Sequence, residues 1–191
     1  GCMGDLGLHT QHGPFALGWI PETVYAVLSN IITERPDGKG GIAPCDTWDN
    51  ATMLCTVRHD GYEFPMTLET KRIEPGATDQ WYLKINGTKA SVYFTSEDPD
   101  AFHYLYADGP IQSWSRVLVG SRTLFPTITG ENFEFGFSDS ILQMWAAYMS
   151  ELDGKELPFG CVKPEHTHLS HALITAALQS HVEQRAVKVE Y

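Results

Sequence analysis

Thr52-Met-Leu-Cys-Thr-Val-Arg-His59, then Asp60-Gly61, then Tyr62-Glu-Phe-Pro-Met-Thr-Leu-Glu-Thr-Lys-Arg-Ile73 is the stretch on which the fold turns. Two runs rich in β-branched and aromatic residues flank an Asp-Gly pair, which tolerates left-handed backbone, so the stretch predicts an antiparallel hairpin. The pattern recurs downstream. Trp81–Ile85 and Lys89–Thr95 flank Asn86-Gly87, which predicts a tight primed turn. Phe102–Ala107 and Gln112–Val119 flank Asp108-Gly109-Pro110. Upstream, Val24–Thr33 reads as a strand and Asp37-Gly-Lys-Gly-Gly41 as a loop. Six or more strands in a hairpin series predict one large, mainly antiparallel sheet.

Helical patterns stand at both ends. Residues 5–17 read as a helix that opens on Asp5, contains Pro14 and stops at Gly18. Ser138 is a candidate N-cap for a helix with Ile141, Trp145, Met149 and Leu152 on one stripe, stopped by Gly154. A last helix starts at Pro164-Glu165 and carries Leu169, Leu173 and Ala176, and Ala186–Tyr191 could close as a strand. Phe133-Glu134-Phe135-Gly136-Phe137 reads as core and turn. The class is α+β: a single domain over 1–191, with a large open-faced antiparallel sheet and helices packed on one face. The uncovered face predicts an interface, and hence a homo-oligomer.

The 191 residues are about 42% apolar and 19% charged, which is globular composition. A formal net charge of −11 makes nucleic acid and anionic membranes poor partners. No apolar run reaches membrane-span length, and no signal peptide is seen. The four cysteines form no CxxC pair and read as reduced thiols, so the expected location is cytoplasmic. The opening Gly1-Cys2-Met3-Gly4 leads into a helix with no strand before it, as a cut inside a longer polypeptide would.

Asp5 and His9 are four apart, so a helix brings carboxylate and imidazole to one side. A carboxylate that orients an imidazole suits a general base taking a proton from a hydroxyl. His12 extends the stripe, and Asp5, His9 and His12 could also present three metal ligands. Asp46 and Trp48 lie in the polar loop Cys45–Asn50, where an exposed indole could stack on a sugar ring while carboxylates take its hydroxyls. Lys71 and Arg72 end a strand and could face the same site. His12, Asp46, Trp48, Lys71 and Arg72 are therefore the candidate substrate contacts. No GxGxxG or GxxxxGK[ST] motif is present.

Gly4-Asp5-Leu-Gly-Leu-His9 with its helix and Gly18 resembles the start of the C-terminal domain of the Gfo/Idh/MocA oxidoreductases. Phe135–Trp145, and Pro164-Glu165 with Ser170–Ala177, resemble that domain's closing helices. The resemblance implies a substrate-binding and oligomerisation domain of an NAD(P)-dependent dehydrogenase acting on a sugar or polyol. Asp5 and His9 would be its catalytic positions. NAD or NADP would be bound mainly by an upstream Rossmann domain outside this chain, which alone would be inactive. The family's Glu-Lys-Pro motif and its dinucleotide fingerprint are absent from these residues. Two other readings stand beside it: a non-catalytic carbohydrate-binding or assembly module, and a metal-dependent isomerase or hydrolase using Asp5, His9 and His12.

Overall fold

The hairpin at Asp60-Gly61 forms as expected, and both turn residues take left-handed backbone (φ 49° and 80°). The computed structural model describes residues 1–119, 123–130, 133 and 135–191. They divide into two compact units, Gly1–Pro75 with Val162–Tyr191, and Gly76–Cys161.

The first unit opens with a π-helical turn, Met3–Gly7, running directly into α1 (Leu8–Ala16). Gly18 ends it at φ 74°, the conformation a glycine reaches without strain. Then come β1 (Pro21–Ser29), the short ribbon β2 (Glu34–Pro36) and β3 (Ile42–Pro44), and the long hairpin β4 (Asn50–His59) and β5 (Tyr62–Lys71).

The second unit holds β6 (Tyr82–Asn86), β7 (Ala90–Thr95), β8 (Ala101–Tyr106), β9 (Ser115–Leu118) and α2 (Phe137–Leu152). The chain returns to the first unit with α3 (Pro164–Glu183) and β10 (Val187–Lys188).

The α+β class and the antiparallel pairing are as expected. The strands, however, form two four-stranded sheets, β10-β1-β4-β5 and β6-β7-β8-β9, plus the ribbon β2-β3, rather than one sheet. The ladder stops after Lys71 because the following stretch contains Pro75 and puts Gly76 and Asp79 in left-handed backbone (φ 102° and 44°). The primed turn expected at Asn86-Gly87 does not form. Neither residue has positive φ, and the Gly87 N–H instead bonds the Ala90 carbonyl at 2.8 Å.

In the first unit the inward side chains of the sheet are Val24, Ala26, Leu28, Ala51, Met53, Cys55 and Leu68, all buried. Leu173, Ala176 and Ala177 of α3 close over them, with Phe15 of α1 and Met3. Met53 and Leu173 are fully buried, each contributing roughly 1.5–3 kcal/mol by leaving water. Burial pushes the Cys55 thiol in this core up to about 12. Because β10 is so short, β1 lacks strand partners along one edge, and α3 supplies them. Ser180 Oγ accepts from Ala26 N–H at 3.0 Å, and His181 Nδ1 accepts from Leu28 N–H at 3.2 Å.

The second unit buries little. Only Ala101, Ala147 and Asp139 reach full burial among its described residues. Asp139 accepts from the N–H groups of Gly136 (3.1 Å) and Ile128 (2.9 Å), so Gly136 rather than Ser138 caps α2. Ile141, Trp145, Met149 and Leu152 of that helix are exposed. So are Phe133 and Phe137, which corrects their reading as core, while Glu134 lies outside the described residues. No helix of the described residues is long and apolar enough to cross a membrane.

Candidate active-site cleft

Asp5 is positioned by the first residues of the chain. Cys2 is buried, its N–H bonds the Trp48 carbonyl at 2.8 Å, and its thiol donates to the Thr70 carbonyl at 3.5 Å. These contacts tie the π-helical turn to the end of β5. A π-turn inside a helix re-aims the side chains it carries and recurs at functional sites. Here it carries Asp5.

Arg72, one residue beyond β5, donates from Nη2 to Asp5 Oδ2. Its backbone is pinned from β4: the Arg72 N–H bonds Asp49 O at 2.8 Å and Asn50 Oδ1 at 3.0 Å. Asn50 also accepts from Ile73 N–H and donates to Ile73 O. The ion pair is open to water, with side-chain exposures of 43% for Arg72 and 65% for Asp5, so its role is geometric more than stabilising.

Asp5 and Arg72 line a cleft of about 250 Å³ with Gly1, Arg35 and Thr47. Arg35 comes from the ribbon strand β2, and its Nη2 donates to Asp49 Oδ1 at 2.5 Å. Asp49 is fully buried and its Oδ2 accepts the N–H groups of Ile31 and Ile32, each at 2.8 Å. Those bonds, that of Ile32 first, hold its carboxyl below the usual carboxylate range. Thr47 Oγ1 lies 3.3 Å from Cys45 Sγ and lowers that thiol's affinity for its proton, with Arg35 adding to the effect.

Of the seven residues singled out from sequence, the cleft thus joins Asp5 and Arg72. His9 is exposed on α1, one turn beyond Asp5. His12 is half-buried on the same helix. Burial, then His166 and His9, push its imidazole below the ordinary histidine value, and its Nδ1 has no hydrogen-bond partner among the described residues. Asp46 is exposed in its loop. Trp48 is not the exposed platform its loop suggested. The indole packs against the core and meets His181 edge-on, ring centres 4.8 Å apart. Lys71 bonds Glu74 at 3.3 Å and lies 3.7 Å from Glu69, which raises its affinity for its proton, Glu74 first. Sequence reasoning missed Arg35, Thr47 and Asp49. Thr47 and Asp49 lie in the polar loop already singled out, but nothing in the sequence signals the fourteen-residue reach of Arg35 to Asp49.

Two chemistries can be tested on these residues. Every strand pair among the described residues is antiparallel. Among the described residues no parallel strand leads through a glycine-rich turn into a helix, so these residues do not fit a dinucleotide cradle. Among the described residues no group of three His, Cys, Asp or Glu is placed to hold a metal ion.

The fold is shared with solved oxidoreductases. An oxidoreductase domain protein from Kribbella flavida matches 100% of this chain over 50% of its own length, with TM-score 0.80 and 20% identity. A levoglucosan dehydrogenase in complex with NADH and L-sorbose matches over the same shares, with TM-score 0.79 and 21% identity. An NAD binding oxidoreductase from Klebsiella pneumoniae matches all of this chain and 51% of its own, with TM-score 0.78 and 21% identity. The chain therefore spans about half the length of the solved proteins it matches. No protein-family model and no curated protein matches its sequence.

Proposed function

We propose that residues 1–191 are the substrate-binding and oligomerisation domain of a cytoplasmic NAD(P)-dependent oxidoreductase acting on a sugar or polyol hydroxyl. The observation that carries this reading is the end-to-end likeness of the chain to half of several NAD-linked oxidoreductases, together with a cleft walled by Asp5. In this reading the dinucleotide is held mainly by polypeptide outside these residues, and the nicotinamide supplies the hydride acceptor. His9 takes the hydroxyl proton on an imidazole nitrogen, and Asp5 orients His9 and the substrate. Arg72 holds the Asp5 carboxylate in place, while Arg35 and Thr47 contact substrate. His12 and Asp46 remain outer candidates, whereas Trp48 and Lys71 are already occupied by structural contacts.

The oligomerisation half of the proposal rests on the second unit. Cross-strand register puts Leu83, Phe94, Phe102 and Val117 in one row and Ile85, Val92 and Tyr104 in the next, all on one face of β6-β7-β8-β9. The opposite face carries Lys84, Tyr93, His103 and Arg116. An apolar face of this width, with Leu83 and Phe94 exposed, is suited to packing against a second copy.

The test is expression of the full-length open reading frame and assay against a panel of sugars and polyols with NAD and NADP. Dinucleotide reduction is expected with a member of the panel, and His9→Ala should slow single-turnover hydride transfer by about 10²–10⁴-fold. Near wild-type transfer by a folded His9→Ala enzyme, across pH, would remove His9 from the mechanism.

A further inference from the structure

We propose that Asn50 is a positioning residue for the reaction: acting through Arg72, it sets where the Asp5 carboxylate stands in the cleft. The inference rests on the oxidoreductase reading, in which Asp5 orients His9, and adds to it a residue that touches neither substrate nor dinucleotide.

The β4–β5 ladder ends at the pair Asn50–Lys71, so Arg72 and Ile73 lie past the last strand partner. Backbone beyond the end of a ladder has lost the bonds that fix it and recovers its conformational freedom. The Asn50 side chain takes the place of the missing strand. Its Oδ1 accepts from the Arg72 and Ile73 N–H groups, each at 3.0 Å, and its Nδ2 donates to the Ile73 carbonyl at 3.1 Å. Asp49 O also accepts from the Arg72 N–H, at 2.8 Å. A primary amide suits this position because it joins an acceptor with two lone pairs to a donor. A carboxylate lacks the donor, and alanine lacks both.

This hold acts on Asp5. Alternation along the chain sends Lys71 to Glu69 and Glu74, and Arg72 to Asp5. Any shift of the backbone at 72 therefore moves the guanidinium, and the carboxylate with it. The ion pair does not fix its own geometry, since both side chains are open to water and an exposed pair is worth little. The two backbones fix it instead. The Asp5 N–H bonds Gly1 O at 3.2 Å, and the Cys2 N–H bonds Trp48 O at 2.8 Å. Arg72 hangs from Asp49 and Asn50. Both halves of the pair are thus tied to the consecutive residues 48–50. In that run the Trp48 side chain packs on the core, and the Asp49 carboxylate serves Ile31, Ile32 and Arg35. The Asn50 side chain is the one that serves the Asp5 pair.

Asn50→Ala tests this in the 191-residue chain and in the full-length enzyme. In the chain it should move the Arg72 side-chain N–H resonance and leave that of Arg35 in place. In the enzyme it should slow single-turnover hydride transfer by about tenfold to 10²-fold, the cost of a small misplacement at a reacting group, and leave the KM for dinucleotide unchanged. In an Arg72→Ala background it should cost little more, because residues acting through one contact do not add. Ser180→Ala controls for stability: it loosens α3 from β1, shares no hydrogen bond with the cleft residues, and should keep the wild-type rate. If Asn50→Ala does not fold, Asn50→Asp, which keeps the acceptor and loses the donor, is read in the same way with smaller changes. An unmoved Arg72 resonance, an unchanged rate, a loss matched by Ser180→Ala, or a loss that adds in full to that of Arg72→Ala overturns the positioning role. A full-length enzyme inactive with every sugar and polyol of the panel, while Asn50→Ala still moves the Arg72 resonance, overturns the oxidoreductase reading and the role with it.

Discussion

The sheets β10-β1-β4-β5 and β6-β7-β8-β9 are built from the same kind of antiparallel hairpin, and they reach opposite outcomes. In the first, Val24, Ala26, Met53 and Cys55 are sealed, and α3 lays Leu173, Ala176 and Ala177 over them. In the second, the comparable apolar rows of Leu83, Phe94, Phe102, Ile85 and Val92 are only half-buried or exposed. The second unit's own helix, α2, leaves Trp145, Met149 and Leu152 in water. Alternating apolar residues make a strand; a core needs something to cover it. The first unit carries its cover and also the cleft, whereas the second presents an apolar face that fits association.

The contrast can be broken by paired truncations. Met53→Ala should destabilise the first unit by about 2–5 kcal/mol, because it empties a sealed site. Val92→Ala, on the open face of the second, should cost under about 1 kcal/mol in a dilute monomer. Equal losses in denaturant unfolding would mean that both sheets have closed cores.

Charge on the open face comes next. Val92→Lys with Phe94→Lys should weaken self-association at least about tenfold by sedimentation, since burying an unpaired ammonium is costly. Tyr25→Lys, on the outer face of the first sheet, should leave it unchanged. If both variants associate like the wild type, the second unit's face is not the interface.

Smaller in effect is Ser180→Ala. It removes the acceptor for Ala26 N–H and the donor to Arg185 O, and should cost about 1–3 kcal/mol as measured by thermal unfolding. Wild-type stability would show that α3 does not stand in for a strand along β1.

The smallest effect is a pH dependence. His12 is held below its ordinary value of about 6.5, mainly by burial and then by His166 and His9. The unfolded chain thus binds a proton more readily, so stability should decline as pH falls from about 6.5 toward the lower folded value. Replacing His12 with Gln should flatten that decline, and an unchanged profile would assign it to other groups.

Much of this contrast is local and could be read from the sequence. Asp60-Gly61 set the long hairpin, Pro164-Glu165 started α3 where expected, and Gly18 and Gly154 stopped their helices. The division of the sheet was only partly legible: Pro75-Gly76 is a turn signal, but the left-handed backbone at Asp79 that accompanies it is not demanded by the sequence. In the site, the Asp5–His9 spacing was visible, but the partner of Asp5 was not. Lys71 and Arg72 are adjacent in sequence and diverge in space, Lys71 to Glu69 and Glu74, Arg72 to Asp5. Arg35 and Asp49 met through a loop closure that no spacing rule encodes.

Amide hydrogen exchange on the chain, at low and high protein concentration, tests this division of labour most directly. Concentration should slow exchange in residues 82–86, 90–95 and 101–106, with no effect on β4, already protected by its own core. Full protection of β6-β7-β8 in dilute solution would contradict it.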